Sequence, residues 1–218
     1  MPRLLFEKTG NAVWISHLDL MRLFQRSFKR ACLPLKHSQG YSPRPYVSVI
    51  MPLSVGVESV CELLDFDLEG ESVSNEQIKD RLNHALTDGI RVLEVYDEGT
   101  KIKHLSLLEC NVALVYDRGV PDGAVEAITK LFEQDSLVLE KKSKNGPTQQ
   151  DIIPMIRKIS VSAGENEVDL QALVCCQNPS LNPMQLAAAV SRYLPDFAPD
   201  HARSRRIEIY DENEKVFR

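Results

Sequence analysis

A chain of 218 residues with 43% hydrophobic and 26% charged residues is long enough for one large domain or two small ones, and it fits neither a disordered nor a fibrous class. The net charge of −5 is uneven: residues 1–50 hold eight Lys/Arg against two acids, +6, leaving −11 on the remainder, so one end suits an anion or a partner with an acidic face. No apolar run is long enough to span a bilayer, and the start Met1-Pro2-Arg3-Leu4-Leu5-Phe6-Glu7-Lys8 meets charge too early for a secretory signal; both point to the cytoplasm and away from membranes.

The first half opens with a strand over Arg3–Lys8, where Leu4 and Phe6 alternate with charged residues. Ser16 and Asp19 are spaced as a capping box and predict a helix to about Cys32, ahead of Pro34. Strands near Tyr46–Ile50 and Glu62–Leu68 form an expected hairpin. Ser74 and Gln77 open a second helix carrying Ile78, Leu82, Ala85 and Leu86 on one face and stopping at Gly89, and a strand through Val92–Tyr96 closes the half. Asp97–Ser106 reads as a polar linker.

The second half repeats the order. A strand near Leu108–Tyr116 precedes a helix opened by Pro121 with Val125, Ile128 and Phe132 inward, then a strand at Leu137–Leu139. Lys141–Gln150 reads as an exposed loop, and Asp151–Val161 as an added strand or irregular segment interrupted by Pro154. Val168–Val174 alternates as a strand, Asn182-Pro183 with Gln185 caps a helix bearing Leu186, Val190 and Tyr193, and Ile207 and Ile209 end the chain as a strand. The predicted class is α+β with tandem ferredoxin-like (βαββαβ) halves, 1–98 and 106–218, each an antiparallel sheet backed by two helices, with an insertion near 141–161.

The first helix sets Leu20, Phe24, Phe28 and Ala31 on one side and Arg22, Arg26, Lys29 and Arg30 on the other. That basic face is either an ordinary solvated surface or a phosphate-contacting stripe. The loop that follows, Lys36-His37-Ser38-Gln39-Gly40-Tyr41-Ser42-Pro43-Arg44-Pro45, is polar, positive and stiffened by its prolines. Its Tyr41 suits stacking on a base or sugar; its alternative role is a rigid crossover from helix to strand. The anion-binding set is therefore Arg22, Arg26, Lys29, Arg30, Lys36, His37, Gln39, Tyr41 and Arg44. His17, on the apolar side of the first helical turn, is either a packing residue or a general acid–base group assisted by that loop.

Five scattered cysteines read as buried thiols, and the Cys175-Cys176 pair lacks the closely spaced partners of a zinc or iron–sulfur site. No metal or cofactor is expected. Pro52–Ser59 contains neither a P-loop nor a dinucleotide fingerprint, and Arg203-Ser204-Arg205-Arg206 either flanks the last strand or extends an anionic-ligand surface.

Phe6-Glu7-Lys8 with Gly10, Ile15-Ser16-His17-Leu18-Asp19-Leu20-Met21-Arg22, Leu33-Pro34, Ser38-Gln39-Gly40 and Pro52–Ser59 together resemble the radical-SAM-linked family of uncharacterised bacterial proteins, densely over residues 3–68. The resemblance implies a radical SAM protein as partner, because members occur as separate chains or as C-terminal extensions of such proteins. The family's loop is expected to carry an aromatic-Asn-Pro-His-Pro pattern where this chain has Tyr41-Ser42-Pro43-Arg44-Pro45; if the family's histidine there is catalytic, Arg44 cannot do that job. The chain lacks a Cys-x3-Cys-x2-Cys signature of its own. The expectation is an accessory subunit presenting RNA or an RNA-associated substrate to a radical SAM enzyme. The alternatives are a metal-independent endoribonuclease, which the tandem architecture resembles in the repeat-processing CRISPR enzymes, and a protein–protein scaffold.

Overall fold

A computed structural model describes residues 1–70, 73–143 and 146–218. The chain is α+β, and its internal contacts divide it into a unit of Met1–His104 with Phe217–Arg218 and a unit of Leu105–Val216.

In the first unit the order is β1 (Arg3–Lys8), α1 (His17–Arg30), β2 (Val47–Ile50), β3 (Glu58–Phe66), α2 (Asn75–Ala85) and β4 (Ile90–Tyr96). The sheet runs β4-β1-β3-β2, antiparallel at every step. Alternation along the strands sends Leu4, Phe6, Val47, Val49, Leu64, Phe66 and Val92 to one face, where Phe24 and Phe28 of α1 and Ile78 and Leu82 of α2 join them in one core. Phe6 and Phe24 meet edge to face at 4.8 Å, and Phe28 packs on Phe66 at 5.2 Å.

The ends of α1 follow from local chemistry. Ser16 accepts from the Asp19 amide as N-cap, but the Asp19 carboxylate bonds the Ser16 hydroxyl at 2.7 Å rather than the backbone, so the expected box is half formed. At the other end Leu33 N–H donates to Phe28 C=O at 2.9 Å and Cys32 N–H to Lys29 C=O at 3.2 Å, with Cys32 left-handed at φ 55°. This is a Schellman stop in which cysteine holds the position glycine usually takes. The helix accordingly ends two residues before the predicted limit. Helix α2 has the complete Ser74–Gln77 box.

The second unit comprises β5 (Leu105–Val115), α3 (Ala124–Phe132), β6 (Val138–Ser143), β7 (Gly146–Asp151), β8 (Ile156–Ala163), β9 (Glu167–Cys175), α4 (Met184–Tyr193) and β10 (His201–Asp211). Its sheet runs β10-β5-β9-β8, again antiparallel, the same order as the first unit once the β6–β7 pair is set aside. Two expectations change here. The segment read as a loop over 141–150 forms most of a two-stranded ribbon, with Val138 opposite Asp151, while 144–145 lie outside the described residues. Pro154 occupies a 3-10 turn, Ile153–Met155, after which β8 is a regular edge strand, because the missing proline donor falls before the ladder begins. Among the described residues no helix is long and apolar enough to cross a membrane.

Candidate nucleic-acid interface

The segment between α1 and β2 is a narrow hairpin-like excursion. Lys36 N–H donates to Asp67 C=O at 2.9 Å and Tyr46 N–H to Lys36 C=O at 2.8 Å, which ties its root to the residues just after β3. Above them Ser38 N–H donates to Arg44 C=O at 2.8 Å, and the Ser38 hydroxyl accepts from the Arg44 amide at 3.0 Å. The tip, 39–43, projects from this ladder with Tyr41 fully exposed. Gly40 stands at φ 136°, a conformation that side chains rarely adopt.

Between the hairpin root and the C-terminal turns of α1 lies a cleft of about 690 Å³, bordered by Gln25, Lys29, Cys32, Leu35, His37 and Glu69. A second, more polar recess of about 440 Å³ shares His37 and Glu69 and adds Lys36, Gln39 and Gly40. The apolar floor with cationic and hydrogen-bonding edges suits a planar, partly charged ligand.

The predicted basic residues have separate roles. Arg26 and Lys29 are exposed, with no ion pair among the described residues. Arg22 pairs with Asp19 at 3.0 Å, and the Ser16 and Arg22 bonds hold the Asp19 carboxyl below its usual range. Arg30 turns away from the stripe: its guanidinium donates to Ser27 at 3.1 Å and to the Ala85 carbonyl at the end of α2. Lys36 pairs with Asp67 at 3.3 Å. His37 borders both recesses, Gln39 the polar one, and Tyr41 and Arg44 are exposed on the hairpin.

His17 is half-buried, and its Nδ1 is enclosed without a hydrogen-bond partner. Along α1 it stands twelve residues from Lys29, about 18 Å at 1.5 Å per residue. His17 and the cleft containing His37 therefore occupy opposite ends of the helix. Arg44 O and N are engaged with Ser38, which turns that residue's backbone into part of the hairpin frame.

Three residues escaped the sequence reading. Glu69 brings a carboxylate to both recesses. Cys32, expected among the buried thiols, is exposed, because its left-handed position at the helix stop points it out of the core. Trp14 is 70% exposed, in contrast to the usual burial of tryptophan.

In the second unit, a recess of about 350 Å³ is bordered by Glu109, Lys158, Tyr210 and Glu214. Its charges are internally matched, with Lys158–Glu214 at 2.5 Å and Tyr210 donating to Glu109 at 2.6 Å. Arg203 pairs with Glu167 at 2.7 Å, and Arg206 is buried. Cys61, Cys110 and Cys175 are buried, and Cys176 is partly so, its thiol pushed up to about 11 chiefly by burial. Among the described residues no three His, Cys, Asp or Glu side chains are grouped to hold a metal ion.

The fold has a counterpart in a chain of the solved structure titled "Crystal Structure of a Cbf5-Nop10-Gar1 Complex", with a TM-score of 0.55 at 9% identity over 97% of this chain. This chain spans 50% of the length of that one. A structure titled "Crystal Structure of an Unknown Protein from Galdieria sulphuraria" is 13% identical over 94% of this chain and 96% of that chain, with a TM-score of 0.26. No curated protein matches the sequence. Residues 2–183 match the model of the family described as "Uncharacterized protein conserved in bacteria (DUF2344)", and the chain belongs to that family.

Proposed function

We propose that this chain is a non-catalytic RNA-binding subunit, built of two ferredoxin-like units, that presents RNA or an RNA-associated substrate to a radical SAM enzyme. The ferredoxin-like reading rests on the βαββαβ order and the shared sheet order of the two units. The RNA reading rests on one observation above all: among the described residues the exposed Arg26 and Lys29 make no ion pair, and Lys29 borders the cleft whose far wall is the His37 hairpin root. Surface cations that make no ion pair can turn to phosphate without breaking one, and each contact adds affinity by releasing condensed counterions. The radical SAM partner is implied by the resemblance of residues 3–68, and the iron–sulfur chemistry would belong to that partner.

Fluorescence anisotropy with total tRNA and a structured hairpin, at low and near-physiological salt, tests the RNA reading. Salt-sensitive binding that weakens in an Arg26→Ala/Lys29→Ala variant is the expected result. Absence of binding at low salt sinks it. Co-expression with a tagged radical SAM protein from the same cell tests the partner, and failure of the two to co-purify removes that part alone.

The ribonuclease alternative draws on the unpartnered His17 Nδ1, but it lacks a nearby second group from the hairpin. RNA cleavage in chelator that disappears in His17→Ala would restore it.

A further inference from the structure

Trp14 is held outward by an unusual amount of structure. Lys8, 1% exposed, donates through Nζ to the carbonyls of Val13 at 3.2 Å and Ile15 at 2.8 Å, the residues on either side of Trp14. Gly56 N–H donates to the same Val13 carbonyl at 2.9 Å. The six-membered ring lies against Gly56, where a Cβ would stand 3.3 Å from Cζ3 and 3.7 Å from Cη2; at φ 85° that position also favours glycine. Below, Thr9 N–H donates to Gly89 C=O at 2.8 Å, and a Cβ on Gly89 would collide with the Thr9 carbonyl. The segment Gly10–Trp14 is thus fixed on several sides, while its largest side chain faces solvent. Packing explains the fixing and leaves the exposure unexplained.

The surroundings indicate the ligand. Leu18 is 66% exposed at the same end of α1. From Leu18, positions Arg22, Arg26 and Lys29 continue along one ridge within about 80° of arc at 100° per residue. The exposed ring of Trp14 therefore precedes the end of α1 from which a ridge runs about 17 Å, Leu18 to Lys29, and the His37 cleft, bordered by Lys29, stands at the other end. A protein partner would be matched by the apolar end alone, whereas a polyanion carrying planar bases matches the whole line.

We infer that Trp14 is a base-stacking platform and that this surface takes single-stranded RNA, its bases on Trp14 and its phosphates along Arg22, Arg26 and Lys29. This rests on the RNA-binding reading above and narrows it to the single-stranded form, since a base inside a duplex is stacked on both faces by its neighbours.

Trp14 is the chain's one tryptophan, so intrinsic fluorescence reports on this ring alone. The full chain is titrated with a single-stranded oligoribonucleotide of about ten nucleotides, its duplex and inorganic polyphosphate of matching charge. Single-stranded RNA should quench the emission, and the duplex and polyphosphate should bind without quenching. Trp14→Ala should lose about tenfold in affinity for the single strand at near-physiological salt, and Trp14→Phe should stay within about threefold of wild type. Circular dichroism checks that both variants fold. Single-stranded binding without quenching, or undiminished in Trp14→Ala, overturns the platform and leaves the RNA-binding reading intact. No binding of any RNA overturns both.

Discussion

Arg30, one of four cations on the same helix, donates its guanidinium to the Ala85 carbonyl and so closes the last turn of α2 from across the α1–α2 packing. The orphan carbonyls of a helix end are good acceptors for such a charge. Arg30→Ala should lower the stability of the first unit by about 1 kcal/mol with little effect on RNA affinity. Arg26→Ala, which removes no ion pair among the described residues, should do the reverse. Urea denaturation and anisotropy on both variants check the pair; equal losses of stability would refute the division of roles.

Arg3 is buried, with Nε 2.6 Å from Asp65 and Nη1 2.9 Å from Thr100 C=O, and its guanidinium lies 5.3 Å from the centre of the Phe217 ring. The last residues of the chain are thereby joined to the first unit. Removing Arg3 empties a buried site and leaves the partly buried Asp65 carboxylate without this partner, so Arg3→Ala should cost about 3 kcal/mol in urea denaturation. Deleting Phe217 and Arg218 should cost at least as much although the ion pair survives, since Phe217 is buried and its loss leaves a cavity.

Burial lowers the Lys8 pKa from its ordinary 10.5, partly opposed by the Glu62 carboxylate. Between that lowered value and 10.5 the unfolded chain holds the proton more firmly than the folded one, so this residue's contribution to stability rises with pH and falls as pH drops through the folded value. Tyr96, pushed up to about 12 by burial first and by its bond to Glu94 second, acts oppositely: its contribution is complete below 10.0 and declines above it. Comparing wild type with Lys8→Met isolates the lysine. Raising the pH from 8 to 10 should benefit wild type more than the variant; identical responses would show that the clamp is not titrating in this window.

Cys32 is exposed at the helix stop and borders the 690 Å³ cleft, whereas burial pushes the Cys110 thiol up to about 12 and the Cys176 thiol to about 11. A thiol-specific reagent at pH 8 should label one site rapidly in the native protein, and Cys32→Gly should abolish that phase without loss of stability, because glycine accepts the left-handed position more readily. Attaching a bulky maleimide at Cys32 should weaken RNA binding by occluding the cleft. Unchanged binding after complete labelling would remove the cleft from the interface.

The alternation of β1, β3 and β9, the Ser16, Ser74 and Asn182 caps and the inward stripe Leu20–Phe24–Phe28 are encoded within a few residues of themselves, so element type and order were legible along the chain. The β6–β7 ribbon was not, because its Lys-, Gln- and Pro-containing residues lack strand alternation and acquire their hydrogen bonds from each other. The site divides in the same way. Its positive charge and its hairpin chemistry are local properties that composition and turn residues disclose. Which cations remain unpaired is decided by distant partners: Asp67 claims Lys36, and the Ala85 carbonyl claims Arg30. The outward presentation of Trp14 depends on Lys8, Gly56 and Gly89 converging from separate strands and loops, and no spacing in the linear chain records that convergence.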